Sequence, residues 1–334
     1  MKSSFRKARS RVALGLATAG LLTLAACGTG GQAPAPETSA DSGGAGATRD
    51  LSYAVVIHGN PDGSFWNVVK KGAEDAGKQY GVKVEVTGDV EGANQAKLID
   101  AALAKKPTGL VVSMANPDAL QSSLANAKSQ NIPFVTINSG ADKSKEFGAI
   151  GHVGQTESIA GAGAGEQLKA AGGTKMLCII HEAGNIGLEQ RCSGAAQTFG
   201  GTVEKVQVDL NNPQGIQSTV KSKLLGDKSI DTILALNPDV AVAASAGAKD
   251  AGSNAKFGMF DLNTDVLNAI QDGSMLFAVD QQQYTQGYLP VVMLTLYKAN
   301  LNTIGGGQPV LTGPGYVTKD NAAQVKQLAT AGSR

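Results

Sequence analysis

Short apolar runs and longer segments of helical spacing alternate along this chain from residue 51 onward. Residues 51–57 form a mostly apolar run with two valines and an isoleucine, the pattern of a strand buried on both faces. A turn rich in glycine and proline follows at residues 58–64. A helix-like segment then covers residues 65–80 and opens on Phe65 and Trp66, the single tryptophan of the chain. A strand feeding a helix through a polar loop is the repeating unit of parallel α/β folds, in which ligands gather at the carboxyl ends of strands. The loop and its two aromatics are therefore expected to face a site.

The unit repeats. The pattern predicts further strands at 82–87, 109–113, 133–137 and 146–153, with helices at 94–105 and 117–130. Asn116 caps the second of these, with Pro117 at its first position. A helix over 156–171 carries Gly161, Gly163 and Gly165, which imply close packing. A second array follows, with strands at 175–180, 203–209, 232–236, 256–260 and 275–279. Its helices are predicted at 188–199, 213–225, 240–251, 266–272 and 284–299. Two successive arrays joined near 150–156 predict an α/β protein of two similar parallel-sheet lobes, each strand connection a right-handed crossover. No internal sequence repeat stands out.

The first 49 residues read differently. Lys2, Arg6, Lys7, Arg9 and Arg11 precede an uncharged apolar stretch at 12–24, too short to span a bilayer as a helix. Leu24-Ala25-Ala26-Cys27 then presents small residues ending in a cysteine. This is the layout of a cleaved export signal over 1–26. Residues 28–49 hold Gly, Ala, Pro, Ser and Thr with almost no large apolar residue, so residues 27–49 are expected to be a disordered tether. As a coil such a tether spans on the order of 25 Å.

Composition removes several function classes. Charged residues are 17% of the 334 and aromatics 4%, and without the five basic residues ahead of position 27 the net charge is −4. No basic stripe offers a nucleic-acid surface. Gly-x-Ser-x-Gly, a Walker loop and a strand-to-helix Gly-x-Gly-x-x-Gly are all missing, so no enzyme is expected. Only His58, His152 and His181 are histidines, without paired ligand spacing, so no metal or cofactor is expected.

Polar candidates fall at strand ends of both arrays: Asn138 in the first, Asn237 and Asp261 in the second. His58 and His181 each follow the first strand of their array. Amides and carboxylates at such points suit hydroxyl groups, which both donate and accept hydrogen bonds. Taken alone, Phe65 and Trp66 equally suit core packing at a helix start, Arg191 a solvated helix position, and Asn237 a helix cap before Pro238. Cys178 and Cys192 are consistent with either a disulfide or two buried thiols.

Several motifs in order along the chain carry a resemblance. They are Phe65-Trp66 with Lys71-Gly72-Ala73, Asn116-Pro117-Asp118-Ala119-Leu120, and residues 132–138 (Ile-Pro-Phe-Val-Thr-Ile-Asn). Further on come Arg191-x-x-Gly194, Asn237, Phe260-Asp261, and Asp280-Gln281-Gln282-Gln283-Tyr284-x-Gln286-Gly287-Tyr288. Over about 51–326 the chain resembles the periplasmic sugar-binding proteins of ABC importers, of ribose/galactose-binding type. Leu24 to Cys27 resembles a bacterial lipobox.

The resemblance implies type I lobes joined by a three-segment hinge crossed near 152–156, 281 and 308. It divides the chain into 50–153 plus 281–308 and 154–280 plus 309–328. It implies a sugar or polyol ligand gripped by Phe65, Trp66, Asn138, Arg191, Asn237, Asp261 and Gln281. Lipidation at Cys27 would hold a monomer at the outer face of the cytoplasmic membrane, where it serves ABC permease subunits. The same cleft would also suit a sensor that presents a ligand, including a furanose-like signal molecule, to a membrane receptor. One departure matters: the ribose-type pattern has an Asp-Arg pair where this chain has Asn138-Ser139. That leaves another pentose, a hexose, a polyol or a cyclitol open.

Overall fold

The computed structural model describes residues 50–334. The expected signal at 1–26, Cys27 and the tether lie outside the described residues.

The first array folds as β1 (Ser52–Ile57), α1 (Ser64–Tyr80), β2 (Lys83–Gly88), α2 (Gly92–Ala104), β3 (Gly109–Ser113), α3 (Pro117–Ser129), β4 (Phe134–Ile137), α4 (Ala141–Phe147) and β5 (Gly151–Gly154). The second runs α5 (Glu157–Ala170), β6 (Lys175–Ile180), α6 (Ile186–Phe199), β7 (Thr202–Gln207), α7 (Pro213–Gly226), β8 (Thr232–Ala235), α8 (Pro238–Asp250), β9 (Lys256–Phe260), α9 (Thr264–Asp272) and β10 (Phe277–Asp280). The chain ends with α10 (Gln283–Asn300), β11 (Val310–Leu311), β12 (Gly315–Thr318) and α11 (Ala322–Thr330).

Two six-stranded sheets result, ordered β11-β5-β4-β3-β1-β2 and β12-β10-β9-β8-β6-β7. Every neighbouring pair is parallel except β10–β12. This is the two-lobed type I periplasmic binding protein architecture. The central strands β3, β4, β8 and β10 are buried at every residue, as their predominantly apolar sequences suit. The edge strands β2 and β7 expose Lys83, Glu85, Thr202 and Lys205, which blunts their free edges. Alternate residues of each central strand feed cores on opposite faces: Val55 and Val111 pack on one side of the first sheet, Val56 and Val112 on the other.

The lobes repeat one another closely. The Asn116-Pro117-Asp118 start of α3 recurs as Asn237-Pro238-Asp239 at α8, each asparagine accepting from the backbone of the first turn. Helices cross in matched pairs. A Cβ at Gly72 would lie 2.1 Å from the Tyr284 carbonyl oxygen, and one at Gly287 1.8 Å from that of Val69. A Cβ at Gly161 would lie 2.1 Å from the Arg191 carbonyl oxygen, and one at Gly194 2.1 Å from that of Ser158. Only glycine lets α1 meet α10, and α5 meet α6, so closely. The repeat escapes a sequence scan because it resides in such scattered contacts.

Three expectations are corrected. Residues 146–153 are not one strand: the polar stretch before them forms α4, which Gly148 ends at φ 95°, and β5 starts only at Gly151. The third crossing comes after 308, because Val310 and Leu311 still pair with Val153 and Gly154 in the first sheet. The chain then passes to β12, which runs antiparallel to β10, so the second sheet is mixed rather than wholly parallel.

Candidate functional site

Between the lobes lies a cavity of about 740 Å³. His58, Phe65, Trp66 and Asn138 line it from the first lobe. His181, Arg191, Asn237 and Asp261 line it from the second, and Gln281 from a hinge crossing. All nine residues singled out in the sequence thus border one space.

Local backbone explains several of these placements. Asn138 and Asp261 directly follow β4 and β9 and hold φ of 60° and 69°. Asparagine and aspartate tolerate this left-handed region better than most residues. Their amides donate to Val153 O and Val279 O on the adjacent strands. The chain is thereby held while it turns both side chains toward the cleft. Gly59 serves Trp66 differently: a Cβ there would lie 2.2 Å from the indole Nε1. Trp66 stands edge-on to His58 at 4.7 Å and to Phe65 at 4.8 Å between ring centroids.

On the second lobe the cleft holds charge. Arg191 is buried and donates from Nε to Glu157 Oε2 at 2.6 Å and from Nη2 to Glu157 Oε1 at 2.9 Å. Its Nη1 stands 3.9 Å from Asp261 Oδ2, and its guanidinium lies 4.5 Å from the centre of the Phe260 ring. The glycine-mediated crossing of α5 and α6 places Glu157 and Arg191 side by side. Two of the three nitrogens are bound to Glu157, so the fork is fixed before any ligand arrives. Glu157 was not singled out in the sequence, because nothing local distinguishes it from other acidic residues in a first helical turn.

A chain of amides joins the lobes at the hinge. Asn138 Nδ2 donates to Gln281 Oε1 at 2.8 Å, and Gln281 Nε2 donates to Asp261 Oδ1 at 2.8 Å. Gln286 Nε2 donates to Gln281 Oε1 at 3.0 Å and to Thr312 Oγ1 at 3.2 Å, holding Gln281 from behind. Asn237 spends its Oδ1 on the amides of Asp239 and Val240. It is a helix cap, and its carboxamide nitrogen remains as a donor beside the cavity.

His58 is neutral: burial first, then Arg191 and His181, bring its pKa down to about 3. Its backbone amide donates to Ser113 Oγ at 2.8 Å, and its Nδ1 lies 2.7 Å from the same oxygen. The Ser113 hydroxyl has no other acceptor among the described residues, so its proton goes to Nδ1 and the ring hydrogen sits on Nε2. That Nε2 stands 4.0 Å from Glu182 Oε2 of the opposite lobe. His181 is also neutral, brought to about 3 by burial and Arg191. Burial raises Asp261 to about 7 against the pull of Arg191 and Gln281, and raises Glu182 to about 7 against Asn185 and Arg191.

The lobes also touch directly. Ser64 Oγ donates to Asp239 Oδ2 at 2.9 Å, Gln190 Nε2 to Asp142 Oδ2 at 3.0 Å, and the Ile186 amide to Ala115 O at 3.1 Å. The cleft is closed. Cys178 of β6 and Cys192 of α6 are joined as a disulfide with their Cα atoms 6.0 Å apart. Among the described residues no group of three metal-ligating side chains comes together, and no helix is long and apolar enough to cross a membrane.

Two hinged α/β lobes shut on a polar, aromatic-lined cavity define a receptor for a small solute. The chain matches the periplasmic binding protein domain over residues 53–300 and belongs to the periplasmic binding protein family. A carbohydrate transporter from Acidothermus cellulolyticus 11B, solved in complex with myo-inositol, is 38% identical and superposes with a TM-score of 0.84 over 86% of this chain and 100% of that one. The ribose import binding protein of Haemophilus influenzae is 25% identical over 259 residues, 75% of this chain and 86% of its own. A solute-binding protein from Burkholderia graminis, solved with D-arabinose, shares the fold at 22% identity and a TM-score of 0.74, covering 82% of this chain and 97% of that one. These similar proteins bind and transport; the chain is a binding protein and not an enzyme.

Proposed function

We propose that this protein is an extracytoplasmic solute receptor that captures a neutral cyclic polyol of the inositol class and delivers it to an ABC permease. Lipidation of Cys27 would tether it as a monomer to the outer face of the cytoplasmic membrane. One observation carries the reading: donors and acceptors from both lobes, with an aromatic pair from the first, converge on one cavity of about 740 Å³. That size suits a small ligand.

The chemistry favours an uncharged ligand. Glu157 already balances Arg191, and among the acids that line the cavity Asp261 and Glu182 have pKa values raised to about 7. A ring carrying a hydroxyl on every carbon could donate to Asp261, accept from Arg191 Nη1, Asn237 and His58 Nε2, and lay its C–H face on Trp66. Asn138-Ser139 supplies amide and hydroxyl groups where the ribose type has an Asp-Arg pair. The myo-inositol carried by the 38% identical Acidothermus cellulolyticus protein points the same way. Because the ligand would touch both lobes, it would favour the closed form by its differential affinity for it.

Isothermal titration calorimetry with myo-inositol, D-ribose, D-arabinose and D-galactose tests this. The expected result is a dissociation constant on the order of 1 μM for myo-inositol, with at least a tenfold preference over each sugar. Tighter binding of a sugar would move the assignment to that sugar, and no binding of any of the four would end the reading.

A further inference from the structure

Glu182 is a cleft acid that the sequence does not single out. It follows β6 in the second lobe and lines the cavity. Its neighbour Asn185 fixes it. Asn185 Oδ1 accepts from the amides of Gly187 and Leu188 at the start of α6, at 2.9 and 3.4 Å. The carboxamide is thereby oriented, and its Nδ2 donates to Glu182 Oε2 at 2.5 Å. The Cys178–Cys192 disulfide ties β6 to α6 around the segment that carries Glu182, Asn185 and Arg191. The carboxyl group is therefore in position before a ligand arrives.

His58 faces it from the first lobe. Its Nε2, which carries the ring hydrogen, makes no hydrogen bond among the described residues and is not sealed from solvent. This nitrogen stands 4.0 Å from Glu182 Oε2, and the two side chains keep 5% and 19% of their surface exposed. The separation is too long for a direct hydrogen bond. It suits one oxygen placed between them. A hydroxyl about 2.8 Å from each atom would subtend about 90° there, which leaves room for one bond accepted and one donated. His58 also meets the Trp66 ring edge-on at 4.7 Å. A ligand ring lying on Trp66 therefore has a rim hydroxyl beside His58. The other charged groups acting on Glu182 are Arg191 and Glu91, but burial dominates and raises its pKa to about 7, so the carboxyl needs no cation opposite it.

We infer that Glu182 is a specificity-determining residue of the cleft: with His58 it reads one hydroxyl of the ligand ring, His58 Nε2 donating to the hydroxyl oxygen and Glu182 Oε2 accepting its hydrogen. This role rests on the cyclic-polyol reading above. A site built to bond a hydroxyl rejects the analogue that lacks it, because its own polar groups are then left unpaired.

The test is a cycle between residue and hydroxyl, read by isothermal titration calorimetry on the full chain. Myo-inositol and its monodeoxy derivatives, each lacking one hydroxyl, are titrated into the parent and into Glu182→Ala. The variant should bind myo-inositol roughly 10- to 100-fold more weakly, the range for a hydrogen bond to a charged partner. Against one monodeoxy ligand it should lose nothing, since the hydroxyl that Glu182 serves is already gone. His58→Gln should single out the same monodeoxy ligand. Glu182→Gln keeps the bond to Asn185 through Oε1 and turns its amide nitrogen to the cleft; it should show the same ligand dependence with a smaller loss, and replaces Glu182→Ala should that variant not fold. An equal loss for every inositol would make the pair a latch between lobes and overturn the inference, and so would no loss for any. A parent that binds D-ribose, D-arabinose or D-galactose in place of myo-inositol defeats the cyclitol assignment alone, and the monodeoxy forms of that sugar then decide the role of Glu182 in the same cycle. A parent that binds none of the four removes both.

Discussion

The two lobes present the same scaffold to the cleft and opposite chemistry. Equivalent backbone positions recur: a histidine after the first strand, an asparagine capping the third helix or its counterpart, and a left-handed Asn138 or Asp261 after β4 or β9. Two of these positions carry the same residue type in both lobes; at the third the first lobe has the neutral Asn138, and it adds the Phe65–Trp66 pair. The second has Asp261 at the third and adds Arg191, Glu157 and Glu182, together with the Cys178–Cys192 link. One half offers an apolar platform and the other a preset array of charge-assisted donors and acceptors. The duplicated fold supplies two aligned sets of strand ends, and divergence of side chains lets one ligand meet both kinds of surface.

Breaking the charged half should have the largest effect. Arg191→Ala leaves Glu157 buried without its partner, which costs about 3–5 kcal/mol for a pair of this kind. Thermal and urea unfolding should show that loss, and calorimetry should show binding abolished. A variant as stable as the parent would mean the pair does not organise the second lobe. Trp66→Ala attacks the platform. It should weaken ligand binding by about 2 kcal/mol, close to thirtyfold, with a smaller change in stability because Trp66 is only partly buried. Equal losses of affinity and stability would make Trp66 a core residue instead.

The pH dependence sets cleft acids against histidines. Asp261 and Glu182, each near 7 in the folded protein, hold protons that the unfolded chain has released above about pH 4.5. Their contribution is complete at low pH and is lost as pH rises through 7. His58 and His181 near 3, and His152 near 4, stay neutral while unfolded histidines take up protons, so their contribution is lost as pH falls below about 6.5. With three groups against two, stability should fall by about 1.4 kcal/mol per pH unit on acidification from pH 6 to 5. Asp261→Asn removes one opposing group and should roughly double that slope in urea titrations. A shallower slope in the variant would contradict the sign assigned to Asp261.

The smallest effect belongs to the cleft rim. Ser64 Oγ meets Asp239 Oδ2 across the lobes at 2.9 Å, but the contact is exposed. Ser64→Ala should change ligand affinity by less than about 1 kcal/mol, within the range of a single solvated hydrogen bond. A larger loss would make the rim contact, rather than the ligand, the main tie between lobes.

Much of this was legible along the chain. Unbroken apolar runs gave β1, β3, β6 and β8, and Asn-Pro pairs marked the starts of α3 and α8. The nine cleft residues were found through motif order more than through local chemistry, since Arg191 or Asn237 alone reads as an ordinary helix residue. Glu157 and Gln286 were missed. Their roles come from what they hold: Arg191 lies 34 residues from Glu157, and Gln281, though five residues from Gln286, meets it only through the turn into α10. The short β11, β12 and α4 were also missed, being too brief to show a period, and so was the C-terminal α11.

By itself the sequence determined most of the strands and helices and that they come in two arrays, because periodicity and turn chemistry act within a few residues. The tertiary structure alone decided that Glu157 clamps Arg191, that Gln281 ties Asn138 to Asp261, and that β11 stays with the first sheet while β12 joins the second. The side-chain contacts among these connect groups 20 to 143 residues apart. They exist only once glycine crossings and hinge segments have brought the lobes into register, and no local preference encodes that.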